Sequence, residues 1–137
     1  MHRLNNNMTK IADFTKTETW TVESTLKERW GKDNDIEFQF ADTDVRLSPS
    51  DRETVECPAL IWQYEGCNFI IIKTGIQNYR CQFFYRGYQQ YGTGVHEYDD
   101  IGDCIVSLLQ VQSDHHREQQ IEKDNSDGSL PRGTEVK

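Results

Sequence analysis

Residues 59–85, ALIWQYEGCNFIIIKTGIQNYRCQFFY, carry apolar or aromatic side chains at almost every position of three successive strand-like segments. Alternate residues of a β-strand point to opposite faces of its sheet, so this stretch predicts a sheet that is apolar on both faces. An antiparallel sheet with one face in water is normally polar on that face. We therefore expect each face of this sheet to be covered.

Two short turns, EGCN at 65–68 and GIQN at 75–78, separate the three segments. Loops of two or four residues are expected to place Tyr64 opposite Phe69 and Thr74 opposite Tyr79, and this register assigns every side chain to a face. The first face then holds Ala59, Ile61, Ile70, Ile72, Cys81, Phe83 and Tyr85. The second face holds Leu60, Trp62, Tyr64, Phe69, Ile71 and Phe84, interrupted by Lys73, Arg80 and Gln82.

A helix is predicted before the sheet. Thr15 and Glu18 have the spacing of a capping box, and the apolar residues that follow recur at every fourth position. Gly31 supplies the stop, so the helix is expected over 16–30.

A second helix is predicted after the sheet. Asp99 or Asp100 can cap it, and its apolar stripe has helical spacing at Ile101, Cys104, Ile105, Leu108 and Leu109. We expect it to reach about residue 120. Both helices are expected on the first face, because that face is almost uniformly apolar.

The order of elements predicts an α+β fold: an N-terminal helix, an antiparallel meander of four to five strands, and a C-terminal helix packed on one sheet face. The alternation over 36–40 predicts the first strand, and ADTD at 41–44 is expected to form a turn. Pairing of the next strand is expected to begin only after Pro58, because proline cannot donate to a central ladder.

The chain is expected to divide into an N-terminal leader over 1–14, a single domain over 15–122 and a disordered tail over 123–137, which lacks aromatic residues and periodicity. Met8 is an alternative to Met1 as the start.

A net charge of -8 opposes binding to the phosphates of nucleic acids or anionic lipids, since that affinity comes from Lys and Arg. No segment approaches the roughly 20 apolar residues of a membrane span, and the N-terminus has no signal-peptide-like apolar run. We expect a cytoplasmic protein without a nucleic-acid or membrane partner.

The four cysteines, Cys57, Cys67, Cys81 and Cys104, lack the CxxC spacing of a metal knuckle. Buried, reduced thiols are expected, with Cys67 as the exception because a predicted turn would expose it. No local signature supports a thiol nucleophile paired with His96.

Potential metal ligands cluster where a glycine-containing loop over 86–98 meets the last helix: His96, Glu97, Asp99, Asp100 and Asp103. Histidine and carboxylates can bind a divalent cation. No HExxH or EF-hand spacing makes these residues converge, and helix capping with a solvated acidic turn explains them equally well. We expect neither a metal nor a cofactor.

The same loop is rich in tyrosine, with Tyr85 and Tyr98 at its ends and Tyr88 and Tyr91 between them. These rings could stack on nucleic-acid bases, contact a protein partner, or pack back on the sheet. The acidic net charge favours a protein partner over a nucleic acid.

The aromatic side chains of the second face are the strongest functional signal. Each ring buries roughly 150–250 Å², so Trp62, Tyr64, Phe69 and Phe84 would together reach the roughly 300–600 Å² of a large surface patch. Residues 1–14, the tyrosine loop or a second chain could cover them.

We therefore expect a non-enzymatic, cytoplasmic protein-binding or regulatory domain, adaptor- or chaperone-like, whose partner is another protein or a second copy. Its predicted partner-binding residues are Trp62, Tyr64, Phe69, Phe84, Tyr88 and Tyr91. The alternative is a small enzyme, or a ligand- or metal-binding domain, with a pocket near His96 and the 86–98 loop.

Overall fold

A computed structural model describes residues 10–85 and 89–126. Helix α1, Lys16–Trp30, precedes five strands, which are β1 Gln39–Val45, β2 Val55–Tyr64, β3 Cys67–Gly75, β4 Asn78–Phe84 and β5 Gln90–Tyr91; helix α2, Ile101–Ser126, follows them. The strands form one antiparallel sheet in the order β1-β2-β3-β4-β5. The predicted α+β fold, a meander with a helix at each end, is confirmed.

Helix α1 begins and ends where local signals place it. The Glu18 N–H donates to Thr15 Oγ1 over 3.1 Å, and the Thr15 N–H donates to Glu18 Oε1 over 2.7 Å. Gly31 has φ 101°, a conformation that glycine adopts without steric cost, and its N–H donates to the Lys27 carbonyl. The capping box and the glycine stop are confirmed.

Helix α2 is capped by Asp100, whose Oδ2 accepts from the Asp103 N–H over 2.9 Å. The helix continues to Ser126. Residues 123–126 were expected in a tail, and that boundary is wrong; 127–137 lie outside the described residues.

The start of the sheet differs from expectation in two places. Residues 41–44 lie within β1 and pair with β2, with Ala41 opposite Ala59, because a full antiparallel partner outweighs the turn preference of aspartate. Pro58 lies inside β2, where it pairs with Asp42 on one side. The β3 ladder begins only at Ala59, so the missing N–H of Pro58 breaks no bond to β3.

The register of the two hairpins determines which side chains share a face. At the first hairpin Tyr64 pairs with Cys67, two positions from the expected partner, and an even shift leaves the faces unchanged. At the second hairpin Gly75 pairs with Asn78, but Lys73 pairs with Tyr79, because the register shifts between Lys73 and Gly75. Thr74 is therefore an extra residue in β3, and from Tyr79 onward each β4 side chain points to the face opposite the one predicted for it.

This reversal corrects the face assignments. Phe83 now lies opposite Phe69, on the same side as Trp62, whereas Phe84 points to the other side. Both helices pack on this aromatic side, so their expected position on the first face is wrong. We call this side the helix face, and its sheet residues are Leu60, Trp62, Tyr64, Phe69, Ile71, Tyr79, Cys81 and Phe83.

The core lies between the helix face and the two helices. Val22 and Leu26 of α1 and five apolar residues of α2, Ile101, Cys104, Ile105, Leu108 and Leu109, are buried against it. Residues before α1 also attach to the sheet: the Ile11 N–H donates to the Glu56 carbonyl over 2.9 Å, and Phe14 packs on the core. Residues 10–14 therefore belong to the domain rather than to a leader, and 1–9 lie outside the described residues.

Candidate binding surface

The sheet face opposite the helices carries a row of aliphatic side chains. Ile61 pairs with Ile70 and Ala59 pairs with Ile72 across β2 and β3, and Phe84 follows on β4. The isoleucines and Phe84 are partly exposed, while Ala59 is buried beneath them. We call Ala59, Ile61, Ile70, Ile72 and Phe84 the open face.

Polar side chains border the open face. Gln39 lies beside Ile61 on β1, and Gln82 lies beside Ile70 on β4. Along the next row, Gln63 Nε2 donates to Asn68 Oδ1 over 2.6 Å, and Asn68 Nδ2 donates to the Phe84 carbonyl over 3.3 Å. A groove of about 350 Å³ runs beside Ile61, with Asp35 and Glu37 in its wall.

One end of the open face is closed by hydrogen bonds from Arg80. Its guanidinium donates to the carbonyls of Arg46 and Leu47 over 3.3 and 2.9 Å, and its Nε donates to Glu97 Oε2 over 3.2 Å. Thr74 Oγ1 donates to the same carboxylate oxygen over 2.8 Å. The segment after β1 is thereby held across this end of the sheet, which limits the accessible apolar surface to the remainder.

The predicted partner-binding aromatics separate into two groups. Trp62 and Phe69 are 1% and 0% exposed and stack on each other under the helices. Tyr64 stacks on Trp30 of α1 with ring centroids 3.8 Å apart. Only Phe84 of the four reaches the open face, because the β4 register is reversed. The assignment of Trp62 and Phe69 to an accessible surface is wrong, because the helices pack on the face that carries them.

The described tyrosines of the 86–98 loop pack back on the domain. The Tyr91 ring lies 4.2 Å from His115 of α2 and 5.4 Å from Phe83, between ring centroids. Tyr85 Oη accepts from Gln112 Nε2, and Tyr98 exchanges two backbone hydrogen bonds with Tyr79. Tyr88, a predicted partner-binding residue, lies outside the described residues.

The candidate metal ligands do not converge. His96, Asp99 and Asp103 are exposed, and Asp100 is engaged as the α2 cap. Within 10–85 and 89–126, no three His, Cys, Asp or Glu residues are placed to hold a metal ion. Glu97 instead forms an ion pair with Arg80.

The thiols differ from the sequence prediction at one position. Cys67 is the first residue of β3 and is 1% exposed, so its expected exposure in a turn is wrong. Burial raises its pKa to about 12. Cys81 and Cys104 hydrogen-bond to each other between β4 and α2, which lowers the pKa of Cys81 and raises that of Cys104.

A buried charged cluster joins α1 to the sheet, and the sequence prediction did not include it. Lys73 Nζ donates to Glu18 Oε1 over 2.9 Å, and Tyr79 Oη donates to Glu18 Oε2. Burial acts to raise the pKa of Glu18, but the hydrogen bonds from Tyr79, Thr15 and Lys73 and the charge of Lys73 outweigh it, so the pKa is lowered. A correct register would have placed Lys73 opposite Tyr79 on the face that carries Trp62, and that pairing is the signal that could have revealed the cluster.

No described helix has the length and apolarity that a membrane crossing requires. The chain matches no protein-family model, and neither a curated protein nor a solved structure matches it.

Proposed function

We propose that the chain is a non-enzymatic, cytoplasmic protein-binding domain of regulatory or adaptor type that contacts another protein, or a second copy of itself, through the open face. The observation that carries this proposal is the partly exposed aliphatic row Ile61, Ile70, Ile72 and Phe84, on the sheet face opposite both helices.

The chemistry of the open face suits a protein partner. Interfaces combine an apolar centre with a polar rim, and charged residues are depleted at the centre. Here aliphatic side chains form the centre, and uncharged amides such as Gln63, Asn68 and Gln82 border it. Amide groups lose less hydration energy than charges when a partner covers them, so the amide part of the rim opposes burial only weakly; Asp35 and Glu37 of the adjoining groove form its charged part.

The test is a pair of charge substitutions, Ile70→Asp and Phe84→Asp, on adjacent strands of the open face. A matched control is Val106→Asp on α2, because Val106 is also apolar and is 52% exposed. Light scattering after size-exclusion chromatography measures self-association over a range of concentrations, and capture from cell extract with quantitative mass spectrometry measures binding to other proteins.

We expect both open-face variants to keep the circular dichroism spectrum of the folded chain and to lose association at least tenfold, while Val106→Asp retains it. A chain that stays monomeric, and whose captured proteins are the same for wild type and both variants, would contradict the proposal.

A further inference from the structure

We propose that the outer edge of β1, which pairs with no strand among the described residues, binds an extended, basic peptide segment of a partner protein as an additional strand of the sheet. The site consists of the β1 edge and an adjoining groove of about 420 Å³ lined by Asp13, Phe14, Phe40, Ala41, Asp42 and Pro58. It is separate from the open face and does not depend on the function proposed there.

The β1 strand can accept a partner along its length. It is the outermost strand of the sheet, seven residues long, and pairs with β2 over the whole of Gln39–Val45. In an antiparallel ladder, alternate residues direct their N–H and C=O groups away from the paired strand. An edge strand therefore presents a row of backbone donors and acceptors that an extended peptide can pair with.

The groove supplies a side-chain site beside this edge. Phe40 is 61% exposed although it lies in a strand, and Phe14 forms the other aromatic wall. The floor contains Pro58, which is buried. A partner strand that pairs with β1 would direct alternate side chains toward this aromatic wall.

The carboxylates beside the β1 edge indicate that the partner segment is positively charged. Asp13 and Asp42 line the groove, and Asp44 lies further along the same strand. Lys10 lies 4.0 Å from Asp42 and 3.9 Å from Glu56, but these side chains are about half exposed, so the pairing is weak. The carboxylates remain available to the ammonium or guanidinium groups of a basic segment.

The same charges oppose a second copy of this strand. Pairing β1 with β1 would bring Asp42 and Asp44 of one chain close to the carboxylates of the other, and like charges opposite each other destabilise a strand pair. A net charge of -8 adds repulsion between copies and attraction toward a basic partner. The β1 edge therefore selects a cationic segment from a different protein.

The probe is a fluorescein-labelled peptide that alternates lysine and valine and matches β1 in length, seven residues. The same peptide with glutamate in place of lysine is the comparison. Binding is measured by fluorescence anisotropy with the full chain, and the contact surface is mapped by amide chemical-shift changes.

Two substitutions test the site, each with a control of the same chemistry elsewhere. Phe40→Ala removes the exposed ring of the groove, and Trp20→Ala removes an exposed ring of α1 that is 65% exposed. Asp42→Asn removes a carboxylate of the groove, and Asp103→Asn removes an exposed carboxylate of α2 while changing the net charge equally.

We expect the basic peptide alone to bind, with shift changes along 39–45, and Phe40→Ala and Asp42→Asn each to weaken it roughly tenfold while the controls do not. Equal weakening by Asp42→Asn and Asp103→Asn would mean attraction to net charge only and would overturn the proposal. Shift changes confined to the open face, or no binding of the basic peptide, would overturn it as well.

Discussion

Lys73 carries a positive charge into the interior, with a side chain only 4% exposed. Its ammonium donates to Glu18 and to the Asp13 carbonyl, over 2.9 and 3.0 Å. A buried charge is tolerated when it is paired and hydrogen-bonded. The same carboxylate accepts from the Thr15 N–H at the cap of α1 and from Tyr79 Oη of β4, so it couples the start of the helix to its attachment on the sheet.

This coupling predicts an acid-sensitive stability. The folded-state pKa of Glu18 is below the ordinary glutamate value of 4.5, so the stabilisation is complete above that value and is lost as the pH falls through the lower, folded-state pKa. Glu18→Gln leaves Lys73 without its counter-charge, and we expect the free energy of unfolding at pH 7 to fall by about 3–5 kcal/mol. Urea unfolding at pH 7 and at successively lower pH measures both effects.

The control for this prediction is Glu23→Gln. Glu23 forms an exposed pair with Lys27 at 4.0 Å, with both side chains about half exposed, and we expect a change within about 0.5 kcal/mol. Equal losses of stability by Glu18→Gln and wild type between neutral and acid pH would contradict the prediction.

The cysteines are also expected to differ in their reactivity toward a maleimide. Cys81 is partly exposed, and its hydrogen bond with Cys104 lowers its pKa, whereas Cys67 is buried with a pKa raised to about 12. Since the thiolate is the reactive form, we expect a maleimide to label Cys81 first and Cys67 only after unfolding. Peptide mass spectrometry over a time course measures the order, and Cys81→Ser should remove the fast phase. Native labelling of Cys67 at the rate of Cys81 would disprove its burial.

At the scale of elements, the decisive feature is the extra residue of β3 near Thr74. The neighbouring side chains have partners on other elements: Lys73 bonds to Glu18 of α1, and Thr74 bonds to Glu97. These partners are 55 and 23 residues away in sequence. The register shift is therefore accompanied by tertiary contacts that no turn pattern contains.

The difference between local signals and contacts distant in sequence explains how far the sequence could predict the elements. The capping box at Thr15, the stop at Gly31 and the stripe of α2 depend on neighbours within one or two turns, and local pattern predicts them correctly. The face assignment depends on counting residues through a turn, so one extra residue was enough to reverse β4. The strand at 41–44 was missed because its stability comes from pairing with β2 rather than from its own residues.

The candidate surface was affected by the same error. The sequence correctly indicates that both faces are apolar, but it assigned the helices to the isoleucine side and left the aromatic side for a partner. In the folded chain the stacked rings of Trp62 and Phe69 fill the core, and the isoleucines remain partly exposed. A sheet with two apolar faces does not reveal which face its helices cover.

At the scale of the whole molecule, the two proposed surfaces differ in chemistry. The open face offers aliphatic contact bordered mainly by amide side chains, while the β1 edge offers backbone pairing beside carboxylates. A partner with an apolar surface and a basic extended segment could engage both, and the two contacts would then reinforce each other through effective concentration. The open face depends on one claim, that the helices cover the aromatic face and leave the isoleucine face open.

Two neighbouring residues of β3 test that claim most directly, through the free energies of unfolding of Ile70→Ala and Ile71→Ala in urea. Ile71 is 0% exposed on the helix face, and Ile70 is partly exposed on the open face. We predict a loss of about 2–5 kcal/mol for Ile71→Ala, and of about 1 kcal/mol or less for Ile70→Ala. A larger loss for Ile70→Ala than for Ile71→Ala would place the helices on the isoleucine face and contradict the account.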